Sequence, residues 1–427
     1  MSAFAAVIGV LFVLAALVAV FGLVVSLVAT VGLSFTVKWV PVIYNVRSLT
    51  RRKVTTSLTV LGLALVVFVF ATVLMLQRGI RSTLVTGGNV DNVVVLRTGA
   101  TADISSVVDR NQFKLLSSLD AVAGDKGGAP LAVPQAAVLI YAQRVGGTST
   151  DGANVLVRGL TDKMLELHPN IHVAEGRWFT PGTSEIVIGK AMRGRFVGAE
   201  LGSQMTFARR SWTVVGVMDA GGSAYGSEIW GDVEQVMEAF QRTLYSIVTM
   251  KVKDPGAIKD LAARVLADPQ LNLDVKQERQ YFEELSAGLS NLLGFLGLFV
   301  AVVFSLGATI GATISMYAQV AARTREVGTL RALGFQRSAV LVSFVVESIL
   351  VGVISGVIGV GASALMQFAS FSTVNFNTFS EVTFRFTLTP GVVVASLVFA
   401  AAMGYAGGFL PALRAARMPI VQATRGA

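Results

Sequence analysis

Five long stretches of the chain carry no charged side chain: residues 1–37, Val54–Gln77, Leu285–Ala322, Ser348–Ser380 and Phe386–Leu413. A helix needs roughly 20 consecutive apolar residues to cross a bilayer, so the pattern predicts five spans. They fall within 1–37, 54–77, 285–318, 338–367 and 389–413. The first has no basic n-region and outruns the h-region of a signal peptide, so it reads as a span with its N-terminus outside. Between the second and third spans the pattern changes. Asn92–Arg97, Ala137–Gln143, Asn154–Gly159, Glu185–Gly189 and Ser246–Lys253 are rich in Val and Ile, as strands are. Gln204–Phe207 and Trp212–Met218 predict a hairpin turning at Arg209-Arg210. Ser105–Leu119 and Asp232–Arg242 show helical spacing, and Asp254-Pro255 opens a helix over Ile258–Leu266. The fold class is therefore a five-span α-helical transmembrane domain with a large α+β extracytoplasmic domain at 78–284.

Charge fixes the sidedness. Segment 38–53, loop 319–337 and tail 414–427 carry five, four and three Lys/Arg against one acid, Glu326. Residues 78–284 carry 22 basic and 23 acidic side chains. A basic excess confined to short loops marks them as cytoplasmic and accounts for the net charge of +9 without nucleic acid. With 14% charged and 53% hydrophobic residues, against about 25% charged in a soluble domain, a soluble enzyme is excluded. Residues 368–388 become an external loop. Gln277–Ser290 has no Gly or Pro before Gly288, so one helix is expected to run from the external domain into the third span, a stalk of about 60 Å.

Candidate chemistry is sparse. No G-x-x-x-x-G-K-[ST] loop occurs, so ATP is not bound by that route, and the cytoplasmic loops are too short for a catalytic domain. There is no Cys, hence no disulfide or thiolate site. His168 and His172 flank Pro169 and read as ordinary loop or surface histidines; no metal is expected. Glu347 is the one ionisable residue within a span, an expensive placement. Its spacing from Arg337 puts it near the cytoplasmic interface, where it would pair with Arg51 or Arg52 or hydrogen-bond across helices. Arg47, Arg51, Arg52 and Lys53 mark the same boundary. Gly307 and Gly311, Gly352 and Gly356, and Gly404 and Gly408 recur at four-residue spacing, which suits close helix packing in lipid, within the chain or in a dimer.

Loop 319–337 is the most specific cytoplasmic feature. Thr324 can cap a short helix with Val327, Leu330 and Leu333 on one side, Arg325, Glu326 and Arg331 on others, and Gly334 as its left-handed end. Such a helix either lies on headgroups or enters a partner's groove.

T-R-E-V-G-T-L-R-A-L-G-F at 324–335, with Glu347 and the glycine-rich span after it, resembles the FtsX-like permease domain of MacB-type ABC transporters. N-V-R-S-L-T-R-R-K-V-T-T-S-L-T-V-L-G at 45–62 is similar to the segment leading into that family's first span. E-G-R-W-F-T at 175–180, S-E-I-V-I-G-K at 184–190 and S-W-T-V-V-G-V at 211–217 resemble its external domain. The resemblance covers about residues 40–420 and implies a mechanotransmission-type (type VII) permease of the bacterial cytoplasmic (inner) membrane, multi-pass and set among membrane lipids. It implies a cytoplasmic ABC ATPase dimer that binds ATP and Mg, with no cofactor in this chain, and a second permease subunit, identical or not. A periplasmic membrane-fusion or substrate-binding protein would complete the assembly. Residues 324–334 would form the coupling helix. The function implied is export or extraction of a lipid, lipoprotein, peptide or drug; the alternative is an FtsX-like signalling complex controlling an external cell-wall enzyme. Two departures stand out: no fused ATPase, and a span at 1–37 before the usual four.

Overall fold

The computed structural model describes residues 53–148, 151–375 and 378–419. The expected first span, the basic residues Arg47, Arg51 and Arg52, and tail positions 420–427 lie outside the described residues. The described chain belongs to two compact units.

The sheet unit comprises Leu76–Leu293 and Phe368–Thr387. Its strands are β1 (Asn92–Arg97), β2 (Ala132–Gln143), β3 (Gly152–Leu160), β4 (His172–Gly176), β5 (Glu185–Gly189), β6 (Gln204–Phe207), β7 (Arg210–Asp219), β8 (Ile229–Asp232), β9 (Ile247–Lys251) and β10 (Leu273–Gln277). They form one ten-stranded sheet in the order β10-β1-β9-β2-β3-β8-β5-β7-β4, with β6 paired to β7. Most neighbours are antiparallel; β3–β8 and β5–β7 are parallel. Strand β1 shows why its sequence is a continuous apolar run: Val93 and Val95 enter one core, while Val94 and Leu96 enter another on the opposite face. A strand buried on both faces has no polar alternation to keep.

Three short helices cover this sheet: α2 (Arg110–Ser117), α4 (Val233–Ala239) and α5 (Ile258–Ala267), with a single turn, α3, at Met164–Leu167. Asp109 caps α2 by accepting from the Asn111 and Gln112 N–H groups, and the Gln112 side chain closes the box. The expected helix over Ser105–Leu119 is thus shorter, because Asp109 starts it. The β6–β7 hairpin turns at Ala208 and Arg209, both at positive φ, one residue earlier than expected. Residues 368–388, expected as a loop, contain a hairpin of β11 (Ser370–Val374) and β12 (Glu381–Arg385). Its Val382 and Phe384 pack on Ile80 and Leu84.

Four described helical stretches are long and apolar enough to cross a membrane: Val54–Val85 in α1 (Lys53–Val85), Ser290–Ala322 in α6 (Glu278–Ala322), Arg337–Phe368, which is α8 (Arg337–Ala364) and the short turn after it, and Pro390–Arg417, which is α9. α7 (Thr324–Ala332) lies between α6 and α8 in sequence. Within the helical unit α8 and α9 approach at their backbones. A Cβ on Gly404 would sit 2.5 Å from the Ser348 carbonyl oxygen and 3.0 Å from Gly352 Cα, closer than real side chains come. Gly359 brings α8 equally near Ala64 of α1. In lipid such small-residue seams replace the hydrophobic drive available in water.

Candidate functional site

The end of α6, α7 and the start of α8 form one cluster. Arg323 is the residue between α6 and α7; its guanidinium donates to Glu347 at 2.8 Å and lies over the Phe344 ring. Both charged groups are buried. Arg51 and Arg52, the expected partners of Glu347, lie outside the described residues; among the described residues Arg323 pairs with it. A one-residue break between α6 and α7 turns Arg323 inward, which no spacing rule reveals at a separation of 24 residues.

The expected face of α7 is corrected. Val327 is buried in a cluster with Met316, Val340, Phe344 and Tyr405. Leu330 is half-buried and lines a small crevice with Arg323, Val340 and Phe344. Leu333, one residue past the helix, is 72% exposed, so the three do not share a face. The outward stripe is Arg325, Thr329, Ala332 and Leu333, at the i, i+4, i+7, i+8 spacing of one helical side. Glu326 is also exposed, and Arg331 is half-buried. Nor does Thr324 cap the helix: Arg323 is the N-cap residue, without a side-chain cap bond, and the Thr324 hydroxyl donates back to the Ala321 carbonyl. Gly334 does take the left-handed conformation, at φ +93°, where a side chain would be strained.

The glycine motifs divide. Gly352, Gly356, Gly404 and Gly408 meet atoms of the facing helix, whereas a Cβ added to Gly307 or Gly311 would touch nothing within 4 Å. Among the described residues, Gly307 and Gly311 therefore meet no facing helix.

The sheet unit holds a buried polar centre that sequence reading missed. Arg158 donates to both Glu228 oxygens at 2.7 Å, to Asp103 at 2.9 Å and to the Gln135 carbonyl at 2.9 Å. Burial opposes its charge, but Glu228 and Asp103 outweigh burial and hold the guanidinium protonated. The indole N–H of Trp230 also donates to Glu228. Nearby, Glu278 opens α6 and is fully buried. It accepts from the Asn92 side chain and the Asn89 N–H, each at 3.0 Å, at the helix end where a negative charge is favoured. His168 Nε2 stands 3.2 Å from the other Glu278 oxygen; the distance suits an ion pair, although the geometry is not that of a hydrogen bond. His168, expected in a loop or at the surface, is thus buried, with Tyr225 edge-on to its ring. His172 is exposed on β4. The signal available was Arg158 itself, a charge inside the apolar run Val155–Leu160, which requires acids from elsewhere.

Comparison with known proteins places these features. Residues 56–267 match the model of the MacB-like periplasmic core domain, and residues 298–420 match that of the FtsX-like permease C-terminal region. The macrolide export ATP-binding/permease protein MacB of Neisseria gonorrhoeae (strain ATCC 700825 / FA 1090) is 28% identical over 236 residues, covering 52% of this chain and 35% of that protein. Its counterpart in Brucella abortus (strain 2308) is 27% identical over 240 residues, covering 52% of this chain and 34% of the relative. The chain thus matches about a third of the length of these curated relatives. Among solved structures, the periplasmic region of MacB from Actinobacillus actinomycetemcomitans aligns with 46% of this chain and 92% of its own, at 15% identity and a TM-score of 0.35. The two family models match in the order that the resemblance in the sequence implies, a large periplasmic α/β domain followed by an apolar permease region. The chain belongs to the MacB/FtsX-like family of ABC transporter permeases.

Proposed function

We propose that this chain is the permease subunit of an ABC transporter in a bacterial inner membrane, driven by a separate cytoplasmic ATPase dimer that binds ATP and Mg. It pairs with a second permease subunit, and its product is export or extraction of a lipid, lipoprotein, peptide or drug. The observation that carries this reading is α6. It is a single helix of 45 residues, about 67 Å long at 1.5 Å per residue. Its first residue, Glu278, is held by Asn89 and Asn92 of the sheet unit, and its last, Ala322, adjoins Arg323 and α7. A continuous helix transmits a push or rotation along its axis with no hinge to absorb it. The size of the sheet unit favours transport over an FtsX-like signalling role.

In this reading α7 enters the ATPase groove by Arg325, Thr329 and Leu333, while Val327 and Leu330 hold α7 to its own chain. Leu333→Glu tests it. The position is exposed, so membrane insertion and expression should match wild type. Recovery of the cognate ATPase in a pull-down should fall at least tenfold, because a carboxylate would be desolvated in an apolar contact. Equal recovery by both proteins would mean that α7 is not the coupling helix.

A further inference from the structure

We propose that a polar cleft in the sheet unit is a binding site for a phosphoryl group, carried by a phospholipid headgroup or by a soluble phosphate ester. The cleft has a volume of about 570 Å³, within the size range of small-ligand sites. One wall is the outer end of α1, with Ser82, Thr83 and Thr86; the others come from the β5 and β7 ends and from β12. Hydroxyl and backbone donors dominate the lining, and it is not the apolar surface that a drug-like molecule or an acyl chain would seek.

The charges around it do not balance. Lys190 reaches Asp219 at 3.1 Å, and its hydrogen bond holds that carboxyl below its usual range, so this pair is neutral overall. Arg195 and Arg144 share the single buried carboxylate of Glu381, leaving a second positive charge in excess. Arg385 lines the same cleft, is exposed, and has no acidic partner among the described residues. Of the charged groups that line the cleft, Arg385 is thus uncompensated, Lys190 and Asp219 offset each other, and Arg195 shares Glu381 with Arg144, which lies beyond the lining. At its edge Gly221 and Gly222 are both left-handed, at φ +60° and +79°. Gly221 N–H donates to Asp219, while Gly222 N–H has no partner among the described residues. A guanidinium, an ammonium and an open backbone N–H are a donor set that a phosphate selects.

Position supports the same ligand. Gln77 ends the uninterrupted apolar run of α1, and Ser82 follows five residues later, about 8 Å along the helix. Arg78 and Arg81 on this stretch are also exposed and without acidic partners among the described residues. Neither lines the cleft, but both add positive charge on the helix that forms one of its walls. The inference concerns what the sheet unit holds and is independent of whether the assembly transports or signals.

The test uses the full chain purified in a phosphate-free, uncharged detergent. One arm counts phosphatidylglycerol retained from nanodiscs by native mass spectrometry; the other titrates sn-glycerol 1-phosphate by calorimetry. Saturable binding in either arm is expected, and the arm that responds names the source. Arg385→Gln should weaken it about tenfold, with Arg264→Gln, an exposed arginine on α5, unchanged. Should Arg385→Gln fail to fold, Lys190→Gln, whose side chain is 67% exposed, carries the same expectation. Absence of binding in both arms, or equal binding by wild type and the variants at equal melting temperature, would overturn the assignment.

Discussion

Two parts of the helical unit carry the same glycine spacing in opposite surroundings. Along α8 and α9 the glycines face another backbone, and 56% of the most apolar window of α8 is buried. Along α6, Gly307 and Gly311 meet no facing atom among the described residues. The motif alone therefore does not say what it packs against; the neighbour's own small residues do. Gly352 has Gly404 opposite it, and each permits the other. The sheet unit shows a parallel contrast between ion pairs, with Arg158 enclosed and Arg177 at the surface.

The largest break in this comparison should come from Gly404→Leu. The new side chain meets the Ser348 carbonyl and Gly352 Cα, neither of which can move without shifting a helix. A cost above about 3 kcal/mol is expected, read as loss of folded protein in a thermal melt, while Gly307→Leu should leave the melting temperature unchanged. Equal destabilisation by both would erase the distinction between closed and open faces.

Arg323→Gln should rank second. It takes the Arg323 guanidinium from the buried Glu347 carboxylate, a loss of up to about 3 kcal/mol, and the double variant Arg323→Gln/Glu347→Gln should recover part of it. Failure of the double variant to recover stability would show that Arg323 acts through packing on Phe344 instead.

The smallest effect should come from the exposed pair. A hydrogen bond from Arg177 lowers Glu185 from 4.5 to about 2. A depressed carboxyl stabilises the fold above its unfolded value, and that contribution is lost as pH falls from 4.5 toward 2. Arg177→Gln should therefore be slightly less stable than wild type at neutral pH, with the two stabilities converging near pH 2. Acid titration of unfolding measures it. Parallel curves down to pH 2 would show that Glu185 does not depend on Arg177.

How much was legible in the sequence follows the source of each feature. β1 and β5 fall on the residues expected because their Val/Ile runs encode burial on both faces locally. β8, Ile-Trp-Gly-Asp, and β10, Leu-Asp-Val-Lys-Gln, escaped because few of their residues favour strands, and their pairing with β3 and β1 makes them so. β11 and β12 read as a loop although their Phe, Thr and Val favour strands, because each is only five residues long and the pair lies between two apolar spans. At the end of α7 Gly334 was legible, since a left-handed end needs glycine. The outward face of α7 was not, because Val327 is claimed by α8 and by Tyr405 of α9, contacts distant in sequence.

The sheet unit is interrupted in sequence, and this sets an order of assembly. Its last strands, β11 and β12, lie beyond Leu293, after α6, α7 and α8. At about 5–20 residues per second of synthesis, the ribosome needs on the order of 5–20 seconds more to deliver them. Until then Ile80 and Leu84 lack Val382 and Phe384, and Arg144 and Arg195 lack the carboxylate of Glu381. A nascent chain stopped at Leu293 has the ten strands of the main sheet but not the separate β11–β12 hairpin, so docking of that hairpin on Ile80 and Leu84 reports that the intervening helices have already been made.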